Sequence, residues 1–184
     1  VDGLGVEPYS APALCVAMAT EAASEAILEA GIGTPSAFPG ALFLATPPAE
    51  IEWPQRRQLY AAPSADDARG YRRLLAAARL GRLESAFPEF QFASVADRLS
   101  ERFGTQGMPV SVSTACASGA SAIQLGVEAI RRGDTDAALC VGTDGTVNIE
   151  TLVRFSLLSA LSMQNDPPEK AMKPFSKDRG GFIM

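Results

Sequence analysis

The sequence predicts an α/β protein with helices layered against a sheet, and three observations carry that prediction. A short continuous apolar run at residues 40–46 has the length and composition of a buried strand. Residues 109–142 read as strand, helix, strand, a β-α-β unit with the usual right-handed crossover. Around them lie stretches of helical spacing bounded by cap and stop residues. With 47% hydrophobic and 20% charged residues in 184, the chain holds enough apolar matter for a real core, which excludes a disordered polypeptide.

The elements follow in order. Ser10 and Pro12 open an alanine-rich helix that continues through Met18, Ile27 and Leu28 and stops at Gly31. The apolar run 40–46 is the first strand, and the prolines between Pro47 and Pro63 predict a long loop. Ser64 with Asp66 and Asp67 marks the start of a second helix reaching about Leu80, its carboxylates favoured at the positive end of the helix dipole. Ser94 and Asp97 have the spacing of a capping box for a helix ending near Gly104. Val110 and Val112 suit a strand; behind it Ala120, Ile123, Val127 and Ile130 recur at helical spacing. Arg131 and Arg132 fall in that helix's last turn, Gly133 takes the left-handed position after it, and residues 137–141 form the next strand. No internal repeat or Pro/Gly/Ser linker divides the chain, so residues 1–184 read as one domain or part of one.

Composition removes several functional classes. A net charge of −5 disfavours a generic nucleic-acid binder, because neutralising phosphates takes a surplus of Lys and Arg. Residues 56–82 nevertheless carry seven arginines against two aspartates, a local charge of +5 that fits an acidic macromolecular partner. The longest unbroken apolar stretch, residues 13–19, falls far short of the roughly 18 residues of a membrane span, so none is expected. Three widely separated cysteines, Cys15, Cys116 and Cys140, lack metal-ligand spacing and make a poor disulfide framework, which points to a reducing cytoplasm and to no metal or other cofactor. There is no histidine, so neither a Ser-His-Asp nor a Cys-His relay can be built from this chain alone.

One residue stands where chemistry is expected. Cys116 lies where the strand near 110–113 turns into a helix, so its sulfur faces unpaired N–H groups that favour a thiolate and could hold an oxyanion. Ala115, Ala117, Gly119 and Ala120 are small and leave room for an acyl group. The plainer alternative is a buried cysteine acting as a small hydrophobe, the reading preferred for Cys15 and Cys140. Thr114 and Ser118 occupy the glycine positions of a hydrolase elbow, and no phosphate-binding glycine pattern occurs at this turn.

The run Ser113-Thr114-Ala115-Cys116-Ala117-Ser118-Gly119 resembles the nucleophile motif of the β-ketoacyl-[acyl carrier protein] synthases. Downstream, residues 155–162 (FSLLSALS), Asn165-Asp166-Pro167, Lys173-Pro174-Phe175, Arg179, Gly181 and Phe182 keep that family's order and spacing. The resemblance is close from about residue 94 onward and looser before it. It implies the N-terminal β/α half of a thiolase-like fold, an αβα layering with a mixed sheet. It further implies a two-stage Claisen condensation, in which an acyl group passes from acyl carrier protein or coenzyme A to Cys116 and a decarboxylating malonyl thioester then attacks it. The family's two histidines belong to its second half; Met184 falls where the family continues into a Gly-acidic-Gly segment, and the family's first strand would precede Val1, so a longer polypeptide is expected. Ser176 and Gly180 stand where acids are common in the family.

By the same resemblance Phe155 is an acyl-pocket candidate, an ordinary core phenylalanine being the alternative. Arg79 and Arg82 are candidates for contact with the acidic carrier protein, solvated surface arginines being theirs. A homodimer is also implied. The competing readings are another thiolase-fold enzyme, such as a thiolase, and a non-catalytic partner subunit or truncated relative that keeps the fold; retention of Cys116 argues against the latter and the lack of histidine for it.

Overall fold

The computed structural model describes residues 9–61, 69–81, 84 and 87–183. They fall into two compact units that divide after Gly145.

The first unit is built on a three-stranded sheet. Strands β1 (Ala41–Ala45), β2 (Val110–Val112) and β3 (Ala138–Gly142) lie in the order β2-β1-β3, with Phe43 opposite both Val110 and Cys140. The three described strands of the expected mixed sheet are all parallel to one another. The unit that reads as β-α-β along the chain is therefore not a neighbouring pair, because β1 is inserted between β2 and β3.

Helix α1 (Ala11–Ala30) begins and ends as its sequence dictates. The Ser10 hydroxyl accepts the Ala13 N–H at 3.5 Å, Pro12 sits in the first turn, and Gly31 closes the helix at φ 64°, donating to the Ile27 carbonyl. A second acceptor comes from far along the chain: the buried carboxylate of Glu52 takes the Ala11 N–H at 2.9 Å, a negative group at the positive end of the helix. By length and composition α1 would suffice for a membrane span, which its longest apolar run did not foretell. In the fold it is a core helix: Cys15, Ala19, Ala23 and Ile27 pack with Leu42, Leu44, Leu139 and Val141 of the sheet.

The same sheet face receives α4 (Ser94–Phe103) through Val95, Ala96, Leu99 and Phe103. Here the expected capping box does not form. Ala93, already helical at φ −81° and ψ −14°, takes the cap position, and the Ser94 hydroxyl donates instead to the Glu89 carbonyl at 3.3 Å. The 3₁₀ turn Phe87–Phe90 leads the chain into the helix and shifts its start by one residue. Gly104 ends it at φ 58° as expected.

Between these elements the expected loop contains a helix, α2 (Trp53–Ala61). Proline is compatible with a helix's first turn, where its missing N–H has no intrahelical partner anyway, and residues 55–61 contain no other. Helix α3 (Tyr71–Arg79) lies beside α2, and its Leu74 and Ala77 form a small apolar cluster with Ile51, just before α2. The Ser64, Asp66 and Asp67 start expected for it lies outside the described residues; the described helix begins after Gly70.

The opposite sheet face is covered by α5 (Ser118–Arg132), giving α/β/α layering. Its buried stripe is Ala122, Gly126 and Ala129, packed with Phe43, Ala45, Ala138 and Cys140. Ile123, Val127 and Ile130, the larger apolar residues at helical spacing, are exposed instead. Close approach explains the reversal: a Cβ on Gly126 would lie 2.5 Å from the Cys140 sulfur and 3.0 Å from the Ala138 Cβ, so only small residues fit there.

In the second unit α6 (Ile149–Leu157) starts at Asn148, whose side chain accepts the Thr151 N–H at 2.9 Å. Leu161 and Phe182 then pair through a short parallel bridge.

Candidate active site

Residues 113–117 carry the chain from the end of β2 into α5, and the turn is tight. Ala115 stands at φ 51°, a left-handed conformation that costs a non-glycine residue roughly 1 kcal/mol and must be held by its surroundings. Two backbone bonds close it: the Ala117 N–H to the Thr114 carbonyl at 3.2 Å and the Ser118 N–H to the Ala115 carbonyl at 3.1 Å. Side-chain hydroxyls add to them. Ser118 Oγ accepts the Thr114 N–H at 2.8 Å and donates to the Ala115 carbonyl at 2.6 Å. Ser121 Oγ donates to the Ala117 carbonyl at 3.1 Å, so Thr114 Oγ1, 2.9 Å away, is the donor to Ser121.

Cys116 is exposed at the crest of this turn, two residues before α5 begins. Neither of the other thiols shares that setting. Cys15 is buried in α1, where desolvation pushes its thiol above the ordinary range, partly offset by the Gly145 N–H that it accepts at 2.9 Å. Cys140 lies half-buried on β3 beneath Gly126, and burial raises it as well. Of the three, Cys116 alone combines access with a helix N-terminus.

The remaining candidates divide. Arg79 is exposed in the last turn of α3, and Arg82 lies outside the described residues. The basic stretch is partly engaged within the fold: Arg56 donates to the Ile51 carbonyl at 2.7 Å and approaches Glu50 at 3.9 Å, whereas Arg57, Arg69 and Arg72 are exposed. Phe155 belongs to the second unit, half-buried on α6, where its ring meets Phe182 edge-on at 5.4 Å. The Arg179 guanidinium stacks over the same Phe182 ring at 5.2 Å, so three positions of the downstream motifs form one cluster.

A feature absent from the sequence reading is an open cavity of about 620 Å³ in that unit. Asn165, Asp166 and Lys173, from two of the downstream motifs, line it together with Lys170 and Asp178. Lys173 Nζ donates to Gln164 Oε1 at 2.9 Å. The motifs' fixed spacing was the available signal, but only folding brings them to one wall.

Comparison with known proteins places the chain in a family. The family model for the beta-ketoacyl synthase N-terminal domain matches residues 12–184. The ketoacyl synthase alpha subunit of the tetracenomycin polyketide synthase from Streptomyces glaucescens is 34% identical over 102 residues, 55% of this chain and 24% of its own length. A 3-oxoacyl-[acyl-carrier-protein] synthase 2 from Rhizobium meliloti is 41% identical over 90 residues, 48% of this chain and 21% of its own. The matched stretches thus span under a quarter of these relatives. A solved type II polyketide ketosynthase, in a complex with its acyl-carrier protein, superposes with a TM-score of 0.65 at 21% identity, covering 92% of this chain and 40% of that one. That likeness supports the layered N-terminal half of a thiolase-like fold. With a match that takes in α5, its preceding turn and the downstream motifs alike, the chain belongs to the beta-ketoacyl synthase family, whose N-terminal domain it carries.

Proposed function

We propose that the protein is a β-ketoacyl synthase of fatty-acid or polyketide type in which Cys116 accepts the acyl group. The observation that carries this reading is the exposed Cys116 thiol on a tight turn at the start of α5, within a chain matched to the family from residue 12 to 184. In the first stage the Cys116 thiolate attacks the carbonyl carbon of an acyl thioester. The new S–C bond forms, the oxyanion is held by N–H groups of the turn, and the carrier's thiolate leaves and takes up the proton Cys116 gave up. In the second stage a malonyl thioester loses carbon dioxide and its carbanion attacks the acyl-cysteine. A C–C bond forms, the Cys116 S–C bond breaks, and Cys116 leaves as the thiolate, which takes a proton from solvent. This chain has no histidine, so in this reading its own residues serve the acyl-transfer stage and none is assigned to assist decarboxylation.

Acyl carrier protein or coenzyme A thioesters are the donors in this reading. The exposed Arg57 of α2 and Arg72 and Arg79 of α3 supply a surface for an acidic carrier, and Arg79 and Arg82 are the proposed contacts. Phe155 is the proposed acyl-pocket residue, and a homodimer in a reducing cytoplasm completes the reading.

The test is peptide mass spectrometry of the natural full-length polypeptide after incubation with an acyl thioester, for wild type and Cys116→Ala. Acyl mass on the Cys116 peptide alone, absent from the variant, is the expected result. Label on Cys15 or Cys140, or equal labelling of the variant, would remove Cys116 from this role; no labelling at all would favour a non-catalytic subunit.

A further inference from the structure

We infer that Ser118 is a positioning residue that aims the backbone N–H of Cys116 at the reacting carbonyl, an assignment that rests on the acyl-cysteine reading above. The argument starts from the peptide between Ala115 and Cys116. In a trans peptide the carbonyl and the N–H point in opposite directions, so whatever fixes one fixes the other. The Ala115 carbonyl is fixed twice, by the Ser118 N–H at 3.1 Å and by Ser118 Oγ at 2.6 Å, both at the first residue of α5. The Cys116 N–H is thereby turned away from the helix start and out of the turn, and among the described residues no backbone acceptor takes it.

Ser118 Oγ also holds the other side of the same turn, accepting the Thr114 N–H at 2.8 Å. Its single proton goes to Ala115 and its lone pair to Thr114, so one hydroxyl spans both ends of the residue held at φ 51°. Backbone bonds alone leave that left-handed alanine with a competing right-handed conformation of lower intrinsic cost. Rotation of Ala115 out of the left-handed conformation would carry the 115–116 peptide with it and swing the Cys116 N–H off the direction in which negative charge develops. Ser118 acts against that rotation without touching substrate.

The consequence separates two reactions of one thiol. Acyl transfer needs the thiolate and an aimed N–H donor; alkylation by iodoacetamide needs the thiolate but forms no oxyanion. Outright loss of an oxyanion donor costs about 10²–10³ in rate, so a donor freed to misalign should cost about tenfold or more. The experiment uses the full-length polypeptide as wild type, Ser118→Ala and Ser118→Thr, following acyl transfer from an acyl thioester and iodoacetamide alkylation, both at Cys116, by peptide mass spectrometry.

The expected result is that Ser118→Ala slows acyl transfer about tenfold or more while alkylation stays within about twofold, and that Ser118→Thr, which keeps the hydroxyl, restores most of the loss. Acyl transfer unchanged in Ser118→Ala overturns the assignment, as does a proportional fall in both reactions or a failure of Ser118→Thr to rescue. If Ser118→Ala does not fold, the ratio of the two rates in Ser118→Thr against Ser118→Cys decides, the weaker thiol donor being expected to lower acyl transfer selectively. Wild type that alkylates at Cys116 but takes no acyl group would instead sink the acyl-cysteine reading, and this assignment with it.

Discussion

Replacing Gly126 with alanine should destabilise the protein, although the same change in most helix interiors stabilises it. Helix propensity alone favours alanine over glycine by about 1 kcal/mol. At Gly126 the added methyl would sit 2.5 Å from the Cys140 sulfur, 3.0 Å from the Ala138 Cβ and 3.6 Å from a Phe43 ring carbon. The sulfur can move only by leaving its rotamer, at a cost of order 1 kcal/mol, and Ala138 has no rotamer to change. The remaining relief is to lift α5 off β1 and β3, which loosens the contacts of Ala122 and Ala129 with the sheet. Overpacking of this kind costs about 1–3 kcal/mol; set against the propensity gain, the net loss is up to about 2 kcal/mol. Urea denaturation followed by circular dichroism should therefore show a lower midpoint at an unchanged slope. Gly119→Ala on the same helix is the control, since nothing lies within 4 Å of its Cβ position, and it should gain up to about 1 kcal/mol. Adding Cys140→Ala to Gly126→Ala removes the nearest clash, and the pair should couple by about 1 kcal/mol. A Gly126→Ala protein that gains stability as Gly119→Ala does would refute the close packing of α5 on the sheet.

Two further outcomes follow from the charges and the thiols. Charge reversal at Arg79 and Arg82 should slow acyl transfer from carrier protein most at low salt, with little effect on transfer from coenzyme A; a rate indifferent to ionic strength would leave these arginines as solvated surface. Burial raises the Cys15 thiol above its ordinary value of 9.0, so the folded state keeps its proton at a pH where the unfolded chain releases it. The stability this gives is fully present below pH 9 and is lost as pH rises through the folded value. Denaturation midpoints measured across the alkaline range should therefore fall more steeply for wild type than for Cys15→Ala, and equal slopes would count against the burial.

What the sequence disclosed, and what it withheld, separates by range of interaction. The ends of α1, α4 and α5 were legible because Ser10, Gly31, Gly104 and Gly133 act within one helical turn of where they stand. The order β2-β1-β3 was not, since β1 enters the sheet from about 70 residues upstream and no local pattern records its neighbours. Helix α2 was missed for a different reason. Prolines were counted by number, whereas the physics depends on position, and the one inside this helix occupies its first turn.

The face of α5 shows that a periodic signal can mark a helix without marking its buried side. Ile123, Val127 and Ile130 recur at helical spacing, but so do Ala122, Gly126 and Ala129, one residue earlier. Apolarity favours the first set and the sheet accepts the second, because a helix laid flat on β1 and β3 can come close only through small side chains. The turn that carries Cys116 obeys the same distinction. An exposed Cys116 follows from its place between a strand and a helix, which spacing reveals. The left-handed Ala115 does not, because that conformation belongs by preference to glycine and no glycine is there. What permits an alanine is the hydroxyl of Ser118, three residues on, bonded on both sides of it. Read as a string, Ser118 merely spoils a hydrolase elbow; in the folded turn it fills the vacancy left by the missing glycine, and the direction of the Cys116 N–H depends on it.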